Sequence, residues 1–497
     1  MTQEILINVG VAETRVAVVE EGRLEALSVT RLIGTDGMGG HGARSAVGDI
    51  VLGRVLRVLP GIQAAFVEIG HGRAGFLGAR EARSLGALDT AVEPAISELV
   101  GEGDILLVQI TKDPVGEKGA RLTTSVSLPG RLCVLTPYQK GIAVSRRIAS
   151  EAERARLQAL GEALLADAEL VPEAGYIFRT ATVGAVLDDL RHDALELAEE
   201  WRKILAAQQR ARAPATLYRD VGPIERAMRD IVREDTERVL IDDAAAAQAA
   251  RAYCEHAMPE LEDRIAVFEG PGALFDLYDL ETVIDALSQA RVALPCGGWI
   301  TIEHTEALTA IDVNSGSFVE AGSPEDTGLA VNLEAAGEIG RQVRLRGIGG
   351  MIVVDFIHIK EPGHRERILL ALEQSLAKDG TPVTVTATQS GMAEITRKRV
   401  RRPLEARLTE SCGTCGGSGA LRRPDAIAMD VLRRVEATAR AAPGQTIHVH
   451  AAPPVIAWLE GLGEELAAAL ARKGIFQVEL TADPTASRER FDVSTER

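Results

Sequence analysis

Two short apolar runs, each stopping on an aspartate among polar and glycine residues, restrict this chain more than any other feature. The first is Leu308-Thr309-Ala310-Ile311-Asp312, which continues Val313-Asn314-Ser315-Gly316; the second is Gly350-Met351-Ile352-Val353-Val354-Asp355. Runs of this length read as strands, and a carboxylate at the end of one is delivered to a sheet's edge, where ligands collect in open α/β sheets. Two such carboxylates suit a hard divalent cation, which keeps several waters and completes its shell with substrate phosphate oxygens. Asn314 lies two residues after Asp312 and so points to the same face of a strand, where its amide can orient that carboxylate. The plainer reading is a capped strand end, since Asp, Asn, Ser and Gly are ordinary turn residues. Two aspartates in the same setting favour the cation site.

The rest of the chain agrees with an α/β core inside a larger assembly. At 497 residues it is long enough for roughly three or four domains. No stretch reaches the ~20 apolar residues of a membrane span. The N-terminus has neither a basic region nor a cleavage pattern, so the expectation is a soluble, cytoplasmic protein. Five cysteines, an odd and small number, argue for reduced thiols rather than a disulfide scaffold. The formal charge of −17 disfavours sequence-blind binding to long nucleic acid, though it leaves room for a locally basic groove.

Residues 1–30 alternate as strands, and a glycine-rich link spans Gly34 to Gly42. Between 48 and 130 short strands broken by glycines predict a small barrel. A helix begins at Ser150, which has capping-box spacing to Glu153. A second covers 185–211, and 223–258 reads as helical from Pro223 onward. From 265 to 400 strands and helices alternate, with a helix from Asn332 to Arg346 ended by Gly347. Residues 424–485 read as a small α+β unit with strands at Thr446–Ala451 and Phe476–Leu480, and the polar last dozen residues as frayed.

Cys412 and Cys415 have the spacing of a zinc half-site. The alternative is a redox pair, disfavoured because the surrounding glycines show no thioredoxin-like βαβ pattern. No histidine lies near enough in sequence to complete the site. The run Arg397-Lys398-Arg399, followed by Arg401-Arg402, reads by itself as a solvated helix face.

These segments resemble the ribonuclease E/G family of bacterial endoribonucleases. The resemblance is carried by Glu-Ala-Leu-Thr-Ala-Ile-Asp-Val-Asn-Ser-Gly (306–316), Asn-Leu-Glu-Ala-Ala (332–336), Arg-Leu-Arg-Gly-Ile-Gly-Gly-Met-Ile-Val-Val-Asp-Phe-Ile (344–357), Glu-Ile-Thr-Arg-Lys-Arg-Val-Arg (394–401) and Cys-Gly-Thr-Cys-Gly-Gly-Ser-Gly (412–419). It extends over nearly the whole chain. It implies a multidomain α/β fold with an RNase H-like subdomain split between 1–38 and 218–280. An OB-fold RNA-binding barrel is inserted at 39–128, a 5′-sensor region at 129–217 and a DNase I-like catalytic subdomain at 281–400. A zinc link at 401–420 and a small α+β C-terminal domain at 421–497 complete the layout.

The resemblance further implies that Asp312 and Asp355 hold Mg²⁺, supported by Asn314. The cation polarises the scissile phosphate of single-stranded RNA and activates water. Arg179 and Thr180, with Gly130 and Val134, match a pocket for a 5′-monophosphate, where a guanidinium fork and a hydroxyl suit a terminal phosphate. Taken alone, Arg179-Thr180 is a strand-end pair. Phe66, Phe76 and Lys118 match residues that hold single-stranded RNA by stacking and phosphate pairing; a barrel-core role is the alternative for the two phenylalanines. Arg397, Lys398 and Arg399 become an RNA-gripping basic helix beside the metal site. Gln389 stands where some relatives carry arginine. Zinc is implied to be shared by two chains, two thiolates from each, giving a homodimer and leaving open a dimer of dimers. Gly413 replaces the proline that usually follows the first cysteine. The roles implied are rRNA processing and mRNA decay. The competing reading, an RNA-binding protein without catalysis, is disfavoured because both aspartates and the asparagine are present.

Overall fold

In the computed structural model, the described residues are 3–31, 46–70, 72–85, 94–114, 118–233, 235–316, 323–378, 380–388, 392–399, 403–410 and 412–495. The glycine-rich link at 34–42 lies outside them. The chain divides into two compact units, Met1–Glu405 and Ala406–Arg497. Among the described residues no helix is long and apolar enough to cross a membrane.

The first unit is mixed α/β, and its described residues form four sheets. One is assembled from distant parts of the chain. Strand Gln3–Val9 pairs antiparallel with Glu13–Glu20 and parallel with Thr236–Ile241, placing Ile5 beside Val239 and Ile7 beside Ile241. Ile5 and Ile7 pack on one face against Met228, Ala247 and Cys254. Leu6 packs on the other face against Phe275 and Leu280. Both faces are buried, so the strands read as continuous apolar runs. Here the helical expectation for 223–258 is corrected. Helices Pro223–Asp230 and Ala244–Ala257 flank a strand, Thr236–Ile241, which is drawn into the sheet between Gln3–Val9 and Ile265–Val267.

The expected barrel is present. Strands Ile50–Leu59, Ala64–Glu68, Gly75–Gly78, Arg121–Thr123 and Ile105–Lys112 pair in that order, and the last returns to the first through Val51 and Val108. Five strands closed in this way are consistent with an OB-fold. A sixth strand, Ala215–Tyr218, extends the sheet from Ile50–Leu59, so the barrel recruits a segment from well beyond residue 128.

A four-stranded sheet follows, ordered Gly141–Val144, Gly175–Phe178, Cys133–Thr136 and Leu128–Pro129. Its core is shared with the helices Glu151–Leu164 and Leu187–Arg210. Ser150 caps the first of these by accepting from the Glu153 N–H, as its spacing predicts.

The last sheet of the unit has six strands: Arg291–Ala293, Trp299–His304, Leu308–Asn314, Gly350–Asp355, Ala393–Arg397 and Val383–Ala387. Ile300, Ile302, Ile311, Val313, Ile352, Val354 and Ile395 face the helices Pro324–Arg346 and Pro362–Ala377. Both helices lie on that face, so the residues alternating with these isoleucines and valines occupy an open one. Helix Pro324–Arg346 ends at Gly347 with φ 65°, a left-handed cap suited to glycine.

The second unit has helices Pro424–Ala441, Pro453–Gly461 and Gly463–Arg472 and a sheet ordered Val478–Ala482, Ile447–Ala451, Phe491–Thr495. Two expectations are corrected. The C-terminus is not frayed through its last dozen residues, because Phe491–Thr495 pairs antiparallel with Ile447–Ala451. A βαβ unit is also present, since Ile447–Ala451 and Val478–Ala482 are parallel and joined by two helices.

Candidate active site and RNA-contact surfaces

Strands Leu308–Asn314 and Gly350–Asp355 run parallel with Asp312 directly opposite Asp355. Adjacent strands lie about 4.8 Å apart, so the two carboxylates are neighbours on the open face. Both residues are exposed. Asn314 Nδ2 donates to Asp312 Oδ2 at 2.7 Å, which fixes one carboxylate as the spacing predicts. Among the described residues no group of three or more His, Cys, Asp or Glu gathers around a potential metal position. The donor set is therefore two carboxylates with an amide behind one of them. It fits a hard cation that draws most of its shell from water and phosphate, as Mg²⁺ does.

Asn332, which sequence reasoning quoted without giving a role, positions the chain beyond Asp355. It is fully buried. Its side chain donates to the Ile357 carbonyl at 2.8 Å and accepts from the Ile357 N–H at 3.0 Å. The signal was available: an asparagine on the buried stripe of a helix must find backbone partners.

The basic run is not a helix. Ala393–Arg397 is a strand between Gly350–Asp355 and Val383–Ala387. Arg397 is buried, donating to the Ile348 carbonyl at 2.6 Å and to Thr381 Oγ1 at 3.3 Å. It is a structural residue here, and its assignment as an RNA contact is withdrawn. Its alternation with buried Ala393 and Ile395 explains the placement. Lys398 and Arg399 are exposed, and Arg399 donates to the Gly349 carbonyl. Gln389, Arg401 and Arg402 lie outside the described residues.

On the barrel, Phe66 and Phe76 are direct cross-strand partners, their rings edge-to-face at 6.1 Å. Their neighbours Ala65, Val67 and Leu77 fill the core, so the phenylalanines occupy the outer face, half-exposed. The register continues the row in both directions. Arg57 pairs with Phe66, Arg121 with Phe76, and Lys112 with Arg121. Arg57, Arg121 and Lys112 are exposed. Two aromatics flanked by cations along one barrel face suit unpaired bases and their phosphates. Lys118 is also exposed, and a Cβ on its neighbour Gly119 would lie 2.0 Å from the Ala74 carbonyl oxygen. Only glycine lets this segment press so closely on the barrel.

The four-stranded sheet brings Gly130 and Arg179 together: Arg179 Nη1 donates to the Gly130 carbonyl at 2.6 Å. Val134 lies opposite Ile177, two residues before Arg179, and Thr180 is exposed. Two acids missing from the sequence reading complete this region. Asp193 is nearly buried and accepts from the backbone N–H groups of Arg131, Leu132 and Cys133. A Cβ on Gly130 would stand 2.6 Å from its carboxylate, so this loop admits only glycine there. Asp230 accepts from Arg179 Nη2 at 2.7 Å. Burial pushes the Asp230 carboxyl upward, but the guanidinium groups of Arg229 and Arg179 outweigh it and hold the group below its ordinary value. Asp193 carried a signal, as an acid on the apolar stripe of Leu190, Ala194 and Leu197. Asp230 carried none.

In the second unit Cys412 is exposed and Cys415 half-buried. The Gly416 N–H donates to the Cys412 carbonyl at 2.8 Å, closing a turn that puts both thiols on one knuckle. Hydrogen bonds from the backbone of Cys415 and Thr414 lower the Cys412 thiol to about 7, so its thiolate, the metal-binding form, is substantially populated near neutral pH. A Cβ on Gly413 would meet nothing within 4 Å, so packing does not exclude the larger residue usual there. The pair precedes helix Pro424–Ala441 and lies outside the βαβ unit.

Residues 127–400 match the ribonuclease E/G family, and residues 411–496 match the family's thioredoxin-like domain. Ribonuclease G of Salmonella typhimurium is 36% identical over 504 residues, covering 99% of both chains. Ribonuclease G of Haemophilus influenzae is 36% identical over 500 residues with the same coverage. Ribonuclease E of a Nostoc species is 38% identical over 387 residues, 75% of this chain and 54% of that protein.

Proposed function

The chain belongs to the ribonuclease E/G family, and on that premise we propose that it is a Mg²⁺-dependent endoribonuclease acting on single-stranded RNA. The observation that carries this reading is the in-register pair Asp312 and Asp355, with Asn314 bonded to Asp312. A cation held by these carboxylates would supply charge neutralisation and Lewis acidity at the scissile phosphate. The chain's own residues do the rest. Asn314 keeps Asp312 from rotating, and Asn332 holds the backbone after Asp355. The open sheet face leaves water free access for in-line attack, which yields a 5′-phosphate and a 3′-hydroxyl.

The barrel row accounts for a preference for unpaired RNA. Phe66 and Phe76 offer rings that only an unstacked base reaches, and Arg57, Lys112, Lys118 and Arg121 line the backbone's course. Arg179, aided by Thr180, Gly130 and Val134, takes a 5′-monophosphate, which has more charge and more oxygens than an internal phosphodiester. An anchored 5′ end raises the effective concentration of the strand at the carboxylates. In this reading the sheet that joins 3–31 to 236–267 is the split RNase H-like subdomain, and the carboxylate sheet is the DNase I-like catalytic subdomain. The protein acts in the cytoplasm, in rRNA processing and mRNA decay.

The cysteine knuckle supplies two of the four ligands of a structural zinc. A second copy of the chain supplies the other two, making a homodimer. Metal analysis should therefore find about one zinc per two chains, and Cys412→Ser or Cys415→Ser should release zinc and shift the protein to monomer. One zinc per chain that survives dilution to monomer refutes sharing.

The deciding assay is cleavage of a short fluorescent RNA carrying a 5′-monophosphate, with and without Mg²⁺. Cleavage only with Mg²⁺, and faster than on the 5′-hydroxyl form, is expected. Absence of cleavage at saturating Mg²⁺ refutes the enzymatic reading.

A further inference from the structure

The open face of the carboxylate sheet holds one more pair of side chains without an assigned task. Arg291 is opposite Thr301, Thr301 opposite Asp312, and Asp312 opposite Asp355. The four form one row across four strands, with Arg291 two strands, or about 10 Å, from Asp312. Trp299 is opposite Asn314 on the same face, diagonal to Arg291 and within reach of a long side chain. The Arg291 guanidinium lies over the Trp299 ring, 3.8 Å from its centroid. Arg291 is exposed and no carboxylate pairs with it among the described residues. In a chain of net charge −17, this is a cation held by an aromatic ring beside two exposed carboxylates.

We propose that Arg291 and Trp299 form a nucleotide subsite. One base flanking the scissile phosphate stacks on the guanidinium–indole pair. This rests on the endonuclease reading and adds a specific contact to it. The cation–π contact holds the guanidinium over the ring, and arginine planes and aromatic rings are both surfaces on which unpaired bases stack. The spacing along the row places the base within one or two nucleotides of the bond that the carboxylates address. Stacking makes the subsite tolerant of base identity and demanding of an unpaired strand.

The test is a set of 5′-hydroxyl RNA oligonucleotides with one known cut position, each carrying a single abasic nucleotide, scanned from three positions upstream of the cut to three downstream. Wild-type protein should show about a tenfold rise in KM at one position, with kcat within about twofold. Arg291→Ala and Trp299→Ala should show the same rise on the intact oligonucleotide and no further rise at that abasic position. Trp299→Tyr should restore the wild-type pattern, whereas Arg291→Lys, which keeps charge without a plane, should not. Variants with unchanged KM, or with kcat lowered alike on every oligonucleotide, overturn the subsite. If wild-type protein cuts none of them at saturating Mg²⁺, the endonuclease reading fails instead.

Discussion

Asp312 and Asp355 lie open on their sheet, and Asp312 accepts a hydrogen bond from Asn314 of the same strand. Arg179, the corresponding charge in the proposed phosphate pocket, is already engaged, with one nitrogen on the Gly130 carbonyl and another on Asp230. The difference separates two ways of holding a charge for a ligand. The carboxylates face solvent, and a cation can settle on them without moving anything. The arginine is held in place by an internal anion, so a terminal phosphate must compete with Asp230 or share the guanidinium with it. The first arrangement favours affinity, because neighbouring like charges are relieved by the ligand. The second favours discrimination, because only a ligand with more charge than a phosphodiester displaces a carboxylate.

The comparison breaks first at the carboxylates. Asp312→Asn or Asp355→Asn should lower kcat by a factor on the order of 10³ or more, since several kcal/mol of transition-state stabilisation are removed. RNA binding measured without Mg²⁺ should be unchanged, and near wild-type cleavage in either variant would show that the pair is not the site. Next comes the supporting amide. Asn314→Ala should weaken Mg²⁺ activation by roughly 10- to 100-fold, as loss of a ligand-orienting partner does, with activity recovered at high Mg²⁺. A loss that Mg²⁺ does not restore would mean that Asn314 acts elsewhere.

At the pocket, Arg179→Ala should reduce a preference for 5′-monophosphorylated RNA by about tenfold and spare the rate on 5′-hydroxyl RNA. Equal slowing on both substrates would make Arg179 a general contact. The smallest effect separates the two arrangements most sharply. Asp230→Asn removes the competing charge and should tighten 5′-monophosphate binding by roughly threefold, the scale of a partly exposed ion pair. Weaker binding in this variant would show that Asp230 positions Arg179 rather than competing for it.

What the sequence disclosed follows the same division. Asp312, Asn314 and Asp355 are legible because their cause is local: a strand period, a two-residue spacing and a terminating turn. The barrel is legible for the same reason, whereas the outward placement of Phe66 and Phe76 is not: the sequence leaves a barrel-core role open for both, and the strand register decides it. The region around Arg179 is only partly legible: Asp193 and Asp230 reach residues about 50 to 60 positions away, and while Asp193 stands out on an apolar helix stripe, nothing near Asp230 marks it. No glycine or proline interrupts the charged stretch around Thr236–Ile241, so the sequence predicts helix there; its strand form comes from pairing with Gln3–Val9. The charge of Arg397 masks an alternation that Ala393 and Ile395 display plainly.

That dependence of Gln3–Val9 on Thr236–Ile241 also sets a schedule. Gln3 and Thr236, joined by a side-chain hydrogen bond, are separated by 233 residues. At ordinary rates of about 5–20 residues per second, a ribosome needs roughly 10–50 s to make that interval. Throughout it the first strand has its antiparallel neighbour Glu13–Glu20 but an outer edge of unpaired backbone groups, and Ile5 and Ile7 lack the residues of 228–254 that cover their face. An apolar edge left open for that time is a site for misassociation between nascent chains. The protein therefore has a long vulnerable period at birth, and it ends only when the segment carrying Thr236–Ile241 has emerged.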